Sequence, residues 1–211
     1  MIKYRISKYN PSFRGPAGKY LEDTWTSYND IGKIYEGKVF SKKDYLITEN
    51  QYIKVLLFLL NYFNIKSIKI KHLENYFSIN EIERLLKKKG LTLTSQDKII
   101  ISSLADEKMV GISQLDNYLK LILRECFWCK LEDDLSLVSI EFGYDFYVYI
   151  TCNAIANNII TKFSKENIYI EKDTEQGEPR PYLNGSQEEV PVAVFIHKEI
   201  PPFSSPAVSA L

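Results

Sequence analysis

The chain is poor in the residues from which most catalytic sites are built. It has two histidines, three cysteines, two tryptophans and no net formal charge over 211 residues. With 27 basic side chains against 27 acidic ones and a pI near 6.7, it lacks the basic excess of a dedicated DNA-binding protein. It equally lacks the acidic excess of a charged tail. Long apolar runs are missing too. The most apolar stretch, Tyr52 to Phe63, is interrupted by Lys54 and Asn61 and falls short of the roughly 20 residues that cross a bilayer. The opening Met1–Ile6 has no signal-peptide core. A cytoplasmic protein with no membrane association is expected. Cys126, Cys129 and Cys152 are an odd set in a chain this long, which excludes a disulfide scaffold.

Proline is scarce until the end. Only Pro11 and Pro16 precede residue 174, whereas Pro179, Pro181, Pro191, Pro201, Pro202 and Pro206 follow it. The same segment sets Arg180 and Lys198 against Glu175, Glu178, Glu188, Glu189 and Glu199. Because proline fixes φ and lacks a donor N–H, residues 174–211 cannot continue regular helices. They are expected to be a mobile tail or an appended extension, adding at most an edge strand around Val192–Ile196. Residues 1–173 are expected to form one α+β domain, with helices packed on a small, mostly antiparallel sheet.

Within that domain the helix starts are marked. A Ser or Thr with an acid three residues later can satisfy the free N–H groups of a first turn. The pattern occurs at Ser27/Asp30, Ser41/Asp44, Ser78/Glu81, Thr94/Asp97 and Ser113/Asp116. It predicts a long helix from Ser41 to about Asn64, then helices around 79–89, 95–104 and 114–128. Lys87-Lys88-Lys89-Gly90 suits a helix C-terminus, with cations on the negative dipole end and glycine in the left-handed position beyond. A further helix is expected over 153–164. Strands are predicted at Ile2–Ser7, Ser67–Lys71, Leu137–Phe142, Tyr144–Ile150 and Ile168–Glu171, where apolar and polar residues alternate.

Few constellations suggest chemistry. Cys126-Phe-Trp-Cys129 has redox spacing, yet a redox thiol sits at a helix N-terminus and this pair is placed at a helix end. Zinc would need four ligands, so buried structural thiols are expected and no metal or cofactor is assigned. His72 is the one histidine available to a catalytic triad outside the tail, which holds His197. Motifs of the GxSxG, GxxxxGK[ST] and GxGxxG kinds are absent. No catalytic residue is therefore named. Asp30 with Glu36-Gly37-Lys38 echoes the carboxylate spacing of metal-dependent nucleases, but Glu-Gly-Lys is also an ordinary turn. Glu132-Asp133-Asp134 is read as an acidic turn between a helix and an aromatic hairpin.

The abundance lies in the aromatics, 15 Tyr and 11 Phe. Tyrosine supplies rigid contact area with a polar tip, which suits protein interfaces. Trp25, Tyr144, Tyr147, Glu132, Asp133 and Asp134 are the candidate partner-binding residues. Trp25 is also expected to anchor the N-terminal strand.

The segments Lys3-Tyr-Arg-Ile-Ser-Lys-Tyr-Asn-Pro11, Trp25-Thr-Ser-Tyr-Asn-Asp-Ile-Gly32, Trp128-Cys-Lys-Leu-Glu132 and Phe142-Gly-Tyr-Asp-Phe-Tyr147 carry a resemblance. Over residues 1 to about 171 the chain resembles a family of small uncharacterised bacterial cytosolic proteins, associated with toxin-neutralising immunity proteins. The resemblance brings no established activity and carries over no functional residue; the neutral, tyrosine-rich composition without catalytic motifs points to a non-catalytic protein that binds a partner protein, of immunity or antitoxin type. The alternatives are a metal-dependent, nuclease-like hydrolase, or a nucleic-acid-binding module using Lys87–Lys89.

Overall fold

Strand β1, Ile2–Ser7, forms where the sequence alternates. In the computed structural model, which describes residues 1–15 and 20–173, it becomes an inner strand of a seven-stranded sheet. A small hairpin follows, β2 (Ile34–Tyr35) and β3 (Lys38–Val39). Then come helix α1 (Lys42–Tyr62), strand β4 (Ser67–Glu74), helices α2 (Ile79–Lys88) and α3 (Ser95–Ser102), and strand β5 (Met109–Gly111). Helix α4 (Leu115–Leu123), strands β6 (Trp128–Glu132), β7 (Ser139–Phe142) and β8 (Val148–Cys152), helix α5 (Asn157–Ser164) and strand β9 (Tyr169–Lys172) complete the order. The large sheet runs β5-β4-β6-β7-β8-β1-β9, and its pairings are antiparallel. This is the α+β class that the sequence implied, with a larger sheet than expected. The tail from residue 174, including the strand expected at Val192–Ile196, lies outside the described residues.

Helix starts follow the capping signals in four of five places. Ser41 and Asp44 close a reciprocal box on α1, Ser78 and Glu81 on α2, and Thr94 and Asp97 on α3. Ser27 and Asp30 cap only a single 3-10 turn, Tyr28–Asp30. Ser113 caps nothing: it lies within a 3-10 turn, and α4 begins after Gln114 without a side-chain cap. The ends of α1, α2 and α4 share one device, in which a left-handed residue lets the next N–H reach a carbonyl five residues back. Leu91 N–H donates to Leu86 O after Gly90, Ile65 to Leu60 after Asn64, and Cys126 to Leu121 after Glu125.

That last stop corrects the expected helix over 114–128. Glu125 adopts φ 55°, the chain turns, and Trp128 begins β6. The two thiols thus lie beyond a helix, in the approach to a strand and within it. The aromatic hairpin shifts as well. Tyr144–Tyr147 is a tight turn with Asp145 and Phe146 both left-handed, and β8 starts only at Val148. Burial explains why Phe146 tolerates this backbone, since its ring packs edge-on against Tyr52 at 4.9 Å and Trp25 at 5.1 Å.

The five helices and the inward strand positions form one core. Tyr4, Ile6, Ile68, Ile70, Leu131, Ile140, Val148 and Ile150 are closed to solvent on the helix side. Helix α1 presents Tyr45, Glu49, Tyr52, Val55, Leu56, Leu59 and Leu60 to it, one stripe at helical spacing. Glu49 is tolerated there because Arg124 donates two hydrogen bonds to it, both 2.7 Å.

Candidate functional site

Side chains alternate across a strand, so the residues between those core positions face the other way. The outer face carries Ser67, Lys69 and Lys71 from β4, Lys130 and Glu132 from β6, and Ser139 and Glu141 from β7. Tyr149 and Thr151 of β8, Lys3 and Arg5 of β1 and Glu171 of β9 continue it. Among these residues none is fully buried. The register sets Lys69 opposite Glu132 and Lys71 opposite Lys130. The second pairing opposes like charges, which is unfavourable. Glu107 offsets it from 2.8 Å beside Lys71, and Glu132 from 2.6 Å beside Lys130. Toward β9, Lys3 lies 3.2 Å from Glu141 and 4.7 Å above the Tyr149 ring. Arg5 and Arg14 converge on the single carboxylate of Glu171, at 3.6 and 2.8 Å. Both guanidinium Nε atoms are buried without a hydrogen-bond partner among the described residues, and Arg5 lies 5.5 Å over Tyr147.

The six candidate partner-binding residues do not form one patch. Tyr147 and Glu132 share the outer face. Tyr144 stands at the tip of its turn, 52% exposed. Asp134 reaches Lys69 at 3.4 Å from the β6–β7 turn. Asp133 is buried and holds that turn together, accepting from the backbone N–H of Val138 at 2.6 Å and of Leu135 at 3.1 Å. The acidic run therefore joins two strands, where a helix had been expected on one side. Trp25 lies on the helix side, stacked on Phe40 at 4.5 Å. The lysines and arginines of the outer face were missed as a site. Only the alternation of Lys69 and Lys71 hinted at it, because the face is assembled from strands far apart in sequence.

The groups considered for chemistry are otherwise engaged. All three cysteines are free and buried, and burial pushes the Cys126 and Cys152 thiols up to about 12. Asp30 is buried, which would raise its pKa, but hydrogen bonds from Lys33 and Thr26 outweigh this and hold it below the usual range. Glu36, left-handed with Gly37, forms the turn between β2 and β3. Among the described residues no three of His, Cys, Asp and Glu are grouped to hold a metal ion.

A concave feature lies between the N-terminal loop and α1. Lys8, Tyr9, Tyr20, Glu22, Thr24 and Trp25 form one wall, and Asp44, Thr48 and Gln51 the other, around a cavity of about 380 Å³. The Lys8 ammonium sits 4.0 Å from the centre of the Tyr9 ring and 4.3 Å from that of Trp25.

Comparison of the chain with protein-family models, with curated proteins and with solved structures returned no match.

Proposed function

We propose that the chain is a non-catalytic binding protein that holds a partner protein against the outer face of its sheet, in the manner of an immunity protein neutralising a toxin. The observation that carries this reading is the outer face itself, which no helix of the described residues covers, a half-exposed lattice of Lys, Arg, Glu and Tyr. Its charges are mixed: Lys3, Lys69, Lys71 and Lys130 alternate with Glu132, Glu141 and Glu171. A polyanion such as nucleic acid is held by a uniformly basic surface. A mixed lattice selects a protein whose own charges fit the pattern, and Tyr147 and Tyr149 add aromatic area of the kind that anchors interfaces. The resemblance read from the sequence over residues 1 to about 171, to a family of small uncharacterised bacterial cytosolic proteins, is compatible with this reading.

The test is a reversal of sign on the face. The partner is isolated from the native host with the wild-type chain, identified by mass spectrometry and titrated by calorimetry. Lys71→Glu with Lys130→Glu is expected to weaken binding by about tenfold or more, and Lys71→Gln with Lys130→Gln, which adds no carboxylate beside Glu107 and Glu132, to weaken it with little change in melting temperature. Lys162→Glu, on the helix side, is expected to leave binding unchanged. Equal affinity for all four proteins would refute the assignment of the face.

A further inference from the structure

Helix α2 ends against the start of α1 and the turn that leads into the β2–β3 hairpin. Lys89 Nζ donates to Ile31 O at 3.2 Å. Gly90 leaves room for the stem of Lys42, whose Cδ lies 3.6 Å from where a Cβ on Gly90 would stand. The hairpin is tied to the same turn, with Gly32 N–H donating to Phe40 O and Phe40 N–H to Lys33 O, both at 2.8 Å. These contacts gather cations from three stretches of chain. Lys38, Lys42, Lys43, Lys87 and Lys88 are exposed. So is Arg84, which lies one turn before Lys87 and Lys88 on the same stripe of α2. None of the six has an ion pair among the described residues. The carboxylates between Tyr28 and Asp44 and on α2 are mostly engaged. Lys33 holds Asp30, Lys98 holds Glu83, and Asp44 and Glu81 close the caps of their helices, which leaves Glu36.

The helix dipole favours lysines at the end of α2, but it opposes Lys42 and Lys43 in the first turn of α1. Helix stability therefore does not account for them there. Aliphatic side chains stand beside the cations. Ile34 and Val39 oppose each other in the hairpin and are 66% and 61% exposed. Lys42, Lys43, Leu46 and Ile47, with Ser41 and Asn50, line a hollow of about 490 Å³. We propose that this corner docks on the surface of an anionic phospholipid bilayer. The cations lie among the phosphate-bearing headgroups, and Ile34 and Val39 enter the boundary with the acyl chains. Composition separates this occupant from other acidic ones. Protein interfaces are poor in lysine and rich in arginine and aromatic rings, and single-stranded nucleic acid is held by rings on which its bases stack. Here five of the six cations are lysines, and the tyrosine of the hairpin, Tyr35, is half-buried. Lysine beside exposed aliphatic groups suits a charged layer over hydrocarbon. The expected lack of membrane association concerned spanning and export segments, and a peripheral contact needs neither. No helix of the described residues is long and apolar enough to cross a membrane.

The full chain is sedimented with vesicles of phosphatidylcholine containing phosphatidylglycerol, and with vesicles of phosphatidylcholine alone. Binding is expected to the first only, and it should fall as salt rises from about 0.1 M to about 1 M. Lys42→Gln with Lys43→Gln should weaken it by about tenfold or more, and so should Lys87→Gln with Lys88→Gln. Ile34→Ser with Val39→Ser should weaken it by about tenfold. Lys162→Gln, on α5 over the Phe58 ring, should leave it unchanged. Equal sedimentation with both kinds of vesicle would overturn the proposal, as would full binding by both double glutamine variants. Duplex DNA or RNA held more tightly than the vesicles, and indifferent to Ile34→Ser with Val39→Ser, would assign the cations to nucleic acid and refute it equally.

Discussion

On the inner side of the sheet Ile6, Ile68, Leu131, Ile140 and Ile150 are sealed from solvent, while Arg5, Lys69, Glu132, Ser139 and Thr151, one residue away on the same strands, remain accessible. The strands are shared, so the difference comes from what covers each face. Helices α1, α4 and α5 close the inner one, and there each ionisable group needs a dedicated partner. Arg124 and Glu49 are both almost inaccessible and meet in a two-point hydrogen bond, and Lys120 reaches the buried Asp97 at 2.6 Å. On the outer face Lys69 and Lys71 share Glu107, and Arg5 and Arg14 share Glu171. At the lysines partners are interchangeable because water completes the solvation, whereas the Nε atoms of Arg5 and Arg14 are buried and their guanidinium groups depend on the one carboxylate. The inner face specifies the fold. The outer face is free to be specified by a ligand.

Three substitutions probe this contrast. The largest effect is expected at the buried pair. Glu49→Ala leaves the Arg124 charge uncompensated and should cost about 3–5 kcal/mol in urea unfolding. Replacing both residues by leucine should recover most of that loss. A loss of less than about 1 kcal/mol in the single variant would show that water enters the helical layer, and the contrast would fail.

The second concerns pH. Burial, with the nearby charge of Asp30, pushes the Glu125 carboxyl up to about 7 from its ordinary 4.5. The folded chain therefore holds this proton more tightly than the unfolded chain does. The resulting stabilisation is present below about 4.5 and is lost as pH rises through about 7. Glu125→Gln should flatten the decline in stability between pH 5 and pH 8 by about 1 kcal/mol or more, read from urea midpoints at the two pH values. An unchanged slope would place Glu125 with the accessible outer groups.

The smallest effect is expected on the outer face. Lys71→Ala removes the 2.8 Å pair with Glu107 but also the like-charge opposition to Lys130. Unfolding free energy should change by less than about 1 kcal/mol. A larger loss would mean that the lattice is structural.

The starts of α1, α2 and α3 could be read directly because a capping box joins residues three apart, and neither side chain depends on the rest of the fold. Strand β1 was legible for a similar reason, as alternation is a property of the strand itself. The end of α4 was not. Glutamate at a left-handed position leaves no local signal where glycine or asparagine would, so the expected helix ran on to Trp128, the first residue of β6, and no strand was expected over Trp128–Glu132. Phe146 likewise reads as a strand residue, and only the aromatic cluster around Trp25 and Tyr52 turns it inward. Of the candidate partner-binding residues, the sequence found Tyr147 and Glu132 on the outer face but not the cations around them.

The sequence by itself determined the α+β class, where α1, α2 and α3 begin and the burial of the thiols, through interactions spanning a few residues or through composition. Tertiary structure alone decided which charges meet. Arg5 finds Glu171, Arg124 finds Glu49, and Lys8 finds the Trp25 ring only after strands and loops distant in the chain have been brought together. Such contacts depend on the order of strands in the sheet, which no local pattern encodes.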